Sequence, residues 1–303
     1  MLIILIALLS LAEWSEMDAP GFQVLYQPGM EKFAKMIQGK APQAKRYMED
    51  QLHQTFDQPI RIVISGSAEF SKIQPNSPPE WASATAYPEN NLIFLKPLAR
   101  AGIEDINQTF LHELAHLFIH HRLNGETAPK WFEEGLAILF SGEFSYDRFQ
   151  TLARIGISGQ YLRFRDLDQG FPFNTNLAQL AYLQSEDLVS FLMDLLGAEK
   201  FNQLLSRVAR GENFYDALQN LSGLSFSDLE NKWQHRVKYR YGLALALGGS
   251  TSLWFLITIL FLIAYLKKVR QARQKAMELE SGYNVDAQEE EDDEEFDDES
   301  YLH

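Results

Sequence analysis

His112-Glu113-Leu114-Ala115-His116 is the stretch from which the fold of this 303-residue chain is read. Placed on a helix, which we expect over about Glu104 to His120, two histidines four residues apart are separated by about 400° of rotation and about 6 Å of rise, so both rings share one face. Paired imidazoles on one helical face are the start of a catalytic zinc site, which takes three protein ligands and keeps one position open. Glu113 then lies beside the ion. From there a carboxylate can take a proton from a zinc-bound water, whose pKa the metal lowers to about 7.

Two further histidines, His120 and His121, follow closely. His120 continues the same face but lies about 12 Å along the axis from His112, too far for Zn–N bonds of about 2.0 Å. No glycine turn follows the second histidine of the motif, where Leu117, Phe118 and Ile119 stand instead. The third ligand is therefore expected from another segment. Trp131-Phe132-Glu133-Glu134-Gly135-Leu136-Ala137 supplies two carboxylates on a second expected helix, and spacing alone leaves Glu133 and Glu134 both open. His121 to Pro129 connects the helices and carries the Asn-Gly and Pro signals of a loop, with Pro129 near the start of the second helix.

Together these two stretches resemble the gluzincins, the peptidase MA-like zinc metallopeptidases that include thermolysin and the alanyl aminopeptidase type. The resemblance implies a zincin-like fold, zinc as cofactor, and a peptide or protein as substrate. It implies His112, His116 and Glu134 as metal ligands, since the ligand carboxylate of the aminopeptidase pattern stands immediately before Gly135. It also implies Glu113 as the base. Ala181 to Val189 resembles the segment that brings an active-site tyrosine in related peptidases, which makes Tyr182 the expected donor to the oxyanion of the tetrahedral intermediate. One departure from the thermolysin pattern is Ile138, where an acidic residue would orient a zinc-binding histidine. The likeness runs over roughly residues 59 to 240, and its specific motifs are confined to Phe110–Leu117, Trp131–Ala137 and Ala181–Leu188.

Outward from the motif the pattern is α+β: a small mixed sheet, the active-site helix, and a mostly helical C-terminal part. Glu31 to His53 reads as an opening helix and Ile60-Arg61-Ile62-Val63-Ile64 as a β-branched strand. Ala82 to Tyr87 and Asn91 to Leu95 read as a hairpin, and in gluzincins a strand in this place edges the cleft, where an extended peptide can pair. Helices are expected at about Leu177 to Leu196, Ala198 to Arg210, Phe214 to Leu221 and Ser227 to Tyr239, punctuated by Gly197, Gly211 and Gly223.

The two ends suggest a membrane protein. Leu2 to Leu11 is apolar or small, and residues 1–12 are expected to be a signal peptide, followed by a metallopeptidase domain over 20–240. Gly242 to Leu266 is free of charge for 25 residues, about 37 Å of helix against about 30 Å of hydrocarbon, so one transmembrane helix is expected there. Lys267, Lys268, Arg270, Arg273 and Lys275 follow, which with the signal peptide favours a single-pass type I arrangement: catalytic domain extracytoplasmic, C-terminal tail in the cytoplasm.

Of the formal charge of −14, the 13 acidic residues from Glu278 onward supply all but about −1. The tail over 267–303 is thus a basic stub followed by a self-repelling acidic run expected to be disordered, with Phe296 and Tyr301 as conceivable anchors for a cytoplasmic partner. No basic patch suggests a nucleic-acid partner, and the absence of cysteine fits either compartment. The reading that follows is a membrane-anchored zinc peptidase. Its alternative is a catalytically inactive zincin-fold scaffold that binds peptides, against which the intact Glu113 argues.

Overall fold

The computed structural model describes residues 14–74, 82–97, 103–142, 146–168, 171, 175–242 and 254–274. The chain divides into two units, residues 1–242 and 243–303. In the first, a five-stranded sheet has the order β1-β2-β3-β5-β4. Its strands are β1 (Ser15–Ala19), β2 (Phe22–Tyr26), β3 (Ile60–Ile64), β4 (Ala84–Tyr87) and β5 (Leu92–Leu95). The outer pairs β1/β2 and β4/β5 are antiparallel, and the inner pairs β2/β3 and β3/β5 are parallel. The mixed sheet matches expectation, but β1 and β2 were not foreseen, and β1 begins before the expected domain start at residue 20.

Between β2 and β3 runs α1 (Glu31–Leu52). Its buried residues Ala34, Ile37, Ala41, Ala44, Met48 and Leu52 recur every three or four positions, the spacing that lays one apolar stripe on the sheet. Strand β3 alternates its loyalties: Ile60, Ile62 and Ile64 join the main core. Val63 faces the other side, where Leu92 and Phe94 of β5 meet Phe70 of the short α2 (Ser67–Phe70) and Ile73. A strand apolar on both faces is what a central parallel position requires.

The helical part comprises α3 (Ile103–Arg122), α4 (Lys130–Ser141), α5 (Tyr146–Ser158), α6 (Phe164–Asp168), α7 (Thr175–Val208), α8 (Phe214–Ser222) and α9 (Phe226–Val237). α7 is two helices joined at Gly197, whose φ of 70° and ψ of 167° are non-helical, so the expected break falls where glycine permits a backbone other residues avoid. α5 and α6 were not anticipated. A π-helical turn over Lys238–Gly242 closes the unit.

The membrane helix expected over 242–266 is not found as a span. Among the described residues no helix is long and apolar enough to cross a membrane. A helix does occupy 254–274, with the large apolar side chains from Trp254 to Leu266 exposed, but 13 residues without charge, Trp254 to Leu266, precede Lys267. Residues 243–253, the expected signal peptide at 1–12 and most of the acidic tail lie outside the described residues.

Candidate metal centre

The site begins with the amphipathy of α3. Phe110, Leu114, Ala115, Leu117 and Phe118 are buried in the main core, which leaves His112, Glu113 and His116 half-buried on the opposite side. Asn124 and Gly125, at φ of 55° and 79°, end the helix in left-handed backbone, which Asn and Gly tolerate best. The chain then reverses, and Pro129 caps the start of α4.

α4 delivers Glu134, 9% exposed, to the two imidazoles. His112 Nε2 and His116 Nε2 are 3.2 Å apart. Glu134 Oε2 stands 3.5 Å from the first and 3.6 Å from the second. Ligands on a tetrahedral ion with bonds of about 2.0–2.2 Å are about 3.3–3.6 Å from one another. The three separations therefore match the edges of a zinc coordination shell. Two imidazole nitrogens and one carboxylate oxygen also match the donor chemistry of such a site. His112 Nδ1 is buried and has no hydrogen-bond partner among the described residues, in keeping with the missing acidic orienter at Ile138.

Glu133 points elsewhere: its Oε1 accepts the backbone N–H of Ala128 at 3.1 Å. Geometry thus brings Glu134, not Glu133, to the histidines. The reason is packing. A Cβ on Gly135 would lie 2.4 Å from the carbonyl oxygen of Ser185 and 2.7 Å from Val189 Cγ2, so α4 and α7 touch backbone to backbone at this position, as only glycine allows. Trp131 fixes the other end, buried against Phe132, Phe164 and Phe214. Its Nε1 donates to the Tyr215 hydroxyl at 3.2 Å, and Tyr215 in turn donates to Asp168.

The electrostatics are coupled. Burial raises the pKa of Glu113 above the usual carboxylate range, against the pull of His116 and His112, and the backbone amide of Ala86 on β4 hydrogen-bonds the carboxylate. Burial alone would lower His116, but Glu134, with Glu113 and Glu133, overcomes it and pushes His116 up to about 9. Glu134 is held well below the usual range: burial would raise it, and the two histidines outweigh that.

Tyr182 is half-buried on α7, its ring 4.5 Å from that of Phe171 and perpendicular to it. The same segment carries a run of buried polar residues that sequence reasoning had not separated from it. Gln184 holds the main chain of Leu162 from both sides, accepting its N–H at 2.9 Å and donating to its carbonyl at 3.2 Å. Asp187 accepts from Trp233 Nε1 at 2.8 Å and from the Tyr241 hydroxyl at 2.5 Å. His120 and His121 take no part in the cluster; His121 Nε2 bonds Asn91 Oδ1 at 2.8 Å. Lys130, also unremarked in the sequence, sets its Nζ 3.5 Å from Glu134 Oε1.

An α+β unit with a His-His-Glu group that could hold a metal ion on two adjoining helices has the gluzincin-like fold of the peptidase MA class. A family model of the Peptidase MA superfamily matches residues 41–239, and the chain belongs to that superfamily. Comparison with curated proteins returns no match. Among solved structures the chain is similar to native LTA4 hydrolase from yeast, at 14% identity and a TM-score of 0.43 over 73% of this chain and 38% of that one. It is also similar to native leukotriene A4 hydrolase from Saccharomyces cerevisiae, at 17% identity and 0.43 over 74% and 39%. An aminopeptidase N family protein from Idiomarina loihiensis matches at 13% identity and 0.40 over 73% and 46%. The chain therefore spans less than half the length of each of these proteins.

Proposed function

We propose that this protein is a zinc-dependent peptidase that hydrolyses peptide bonds with a water activated by Glu113. The observation that carries the reading is the triangle of His112, His116 and Glu134 at coordination-edge spacing, with Glu113 one residue from His112 on the same helix. Zinc held by these three residues would polarise the substrate carbonyl and acidify a water beside it. Glu113 takes the proton from that water as the oxygen attacks the carbonyl carbon, then passes it to the leaving nitrogen. Its raised pKa suits the first step, because a carboxylate of higher pKa takes a proton more readily. Tyr182 donates its hydroxyl hydrogen to the oxygen that becomes negative during the attack. Supporting this role is the backbone contact at Gly135, which sets α7 against the helix of Glu134.

Strand β4 supplies the substrate's track. It is the sheet edge beside α3, and the Lys96 N–H to Ser83 C=O bond fixes which of its residues face β5. By the antiparallel alternation, Ala84 and Ala86 turn their backbone groups outward; the Ala86 N–H meets the Glu113 carboxylate, and the groups of Ala84 and the Ala86 carbonyl face an extended peptide. The charge-free sequence over 242–266, with its basic flank, supports anchoring to a lipid bilayer in a type I orientation, the domain extracytoplasmic and the acidic tail available to a cytoplasmic partner.

Replacing Glu113 by Gln is the decisive test. Zinc content should stay at one per chain while cleavage of an unstructured peptide pool falls by about 10²- to 10⁴-fold. Full turnover by the Gln variant would end this mechanism. Stoichiometric zinc with no turnover by the unmodified protein would favour the scaffold instead.

A further inference from the structure

We propose that Lys130 is a specificity determinant that reads a carboxylate on the peptide, within about two residues of the bond to be cut; this rests on the peptidase reading above. Lys130 opens α4 one turn before Glu134, so the two side chains share a face. The carboxylate of Glu134 is divided between two neighbours: Oε2 faces the imidazoles, and Oε1 faces Lys130 Nζ at 3.5 Å. Adding these contacts puts the ammonium no more than about 9 Å from either imidazole nitrogen, the reach of two to three residues of extended chain. The lysine is 47% exposed, so its head is open to an incoming ligand.

Its surroundings aim that head. The ammonium lies 5.9 Å from the centre of the Phe171 ring, and Phe171 packs edge-on against Tyr182. Lys130 therefore belongs to the same wall as the proposed oxyanion donor. Glu133, the other carboxylate on this turn, is engaged with the Ala128 N–H. A Glu134 spent on a divalent cation satisfies the ammonium less well, and leaves a cation on the cleft rim in want of an anion. A peptide offers two such anions, a free C-terminus or an Asp or Glu side chain, and both present the same group.

The competing explanation is that Lys130 only balances the charge of Glu134. Paired peptides separate the two. Short peptides identical except for a C-terminal carboxylate or amide, and a second set identical except for Glu or Gln at each position, are measured for kcat/KM on the full-length protein. Their binding to the zinc-loaded Glu113→Gln variant is followed by fluorescence anisotropy, with zinc per chain determined alongside. We expect the carboxylate member of one set to be favoured by about tenfold, a charge-assisted contact at a half-exposed site. Which set shows it tells terminus from side chain. Lys130→Met should bring the ratio to about one, Lys130→Glu should invert it, and Lys130→Arg should keep it. Equal binding of both members by the unmodified lysine, or an equal loss for both in Lys130→Met, overturns the proposal, as does loss of zinc in that variant. A carboxylate preference in binding without any cleavage would overturn the peptidase reading and leave the role of Lys130 standing. Cleavage without preference does the reverse.

Discussion

Glu134 and Asp187 are both carboxylates buried in the helical part, 9% and 1% exposed, on the adjoining helices α4 and α7, yet their neighbours differ in kind. Asp187 is met by two groups that each bring a hydrogen, Trp233 Nε1 at 2.8 Å and the Tyr241 hydroxyl at 2.5 Å. Glu134 is met by two imidazole nitrogens that stand off at 3.5 and 3.6 Å and are themselves 3.2 Å apart. A buried acid whose two oxygens each accept from a donor at hydrogen-bond length is held by the protein itself. One whose partners hold back at the edge length of a tetrahedron is shaped around something else. Separation, more than burial, tells the two carboxylates apart.

The comparison is broken most directly at Glu134. Glu134→Gln should lower zinc affinity by at least about a hundredfold, since even partners one shell further out are worth 10- to 100-fold. Competition against a chromogenic chelator measures it. Glu133→Gln, whose parent side chain is turned to Ala128, should stay within a few-fold. The opposite ranking would transfer the ligand role to Glu133.

At Asp187 the same kind of change should act on stability instead. Asp187→Ala takes this acceptor from the buried Trp233 N–H, at about 1–3 kcal/mol, and from the part-buried Tyr241 hydroxyl, at less, so we expect a loss of about 2–4 kcal/mol and a fall in Tm of about 5–15 °C for a unit of this size. Zinc per folded chain should not change. A variant that melted like the parent but had lost its zinc would place Asp187 in the site rather than in the scaffold. Because Tyr241 sits in the π-helical turn that leads out at Gly242, the lost stability should show first as protease sensitivity near that turn.

This contrast also explains what the sequence made legible. His112, Glu113 and His116 were placed together by spacing because their relation is local: four residues of one helix fix it. The break at Gly197, the hairpin around Pro88–Asn90 and the strand Ile60–Ile64 were readable for the same reason. Glu134 against Glu133 was not decidable from spacing, because adjacent helix residues differ only in which way about 100° of rotation turns them, and Gly135 against Ser185 of a distant helix sets that rotation. Asp187 was invisible, since its partners are 46 and 54 residues away. β1 was missed because Ser15-Glu16-Met17-Asp18-Ala19 is an edge strand, mostly exposed, with no apolar run to betray it. The membrane span expected over 242–266 is described only at 254–266 beyond Gly242, and among the described residues no helix is long and apolar enough to cross a membrane.

The last effect concerns protons. In the metal-free protein the carboxylates around His116 push its pKa to about 9 from an ordinary 6.5, so at neutral pH the ring carries a charge. A metal takes only the neutral imidazole, so loading must release that proton. Zinc affinity should therefore rise by about tenfold per pH unit from this group alone as pH climbs toward 9, and level off above it. Stability of the metal-free unit should run the opposite way. A folded-state pKa above the unfolded one contributes stability that is complete below about 6.5 and is lost as pH rises through 9. Chelator competition at pH 6, 7, 8 and 9, with calorimetry in buffers of different ionisation enthalpy, reads both the affinity and the proton released. A flat affinity over that range, with no proton released, would mean that His116 is already neutral beside Glu134, and that the electrostatic half of the comparison is wrong.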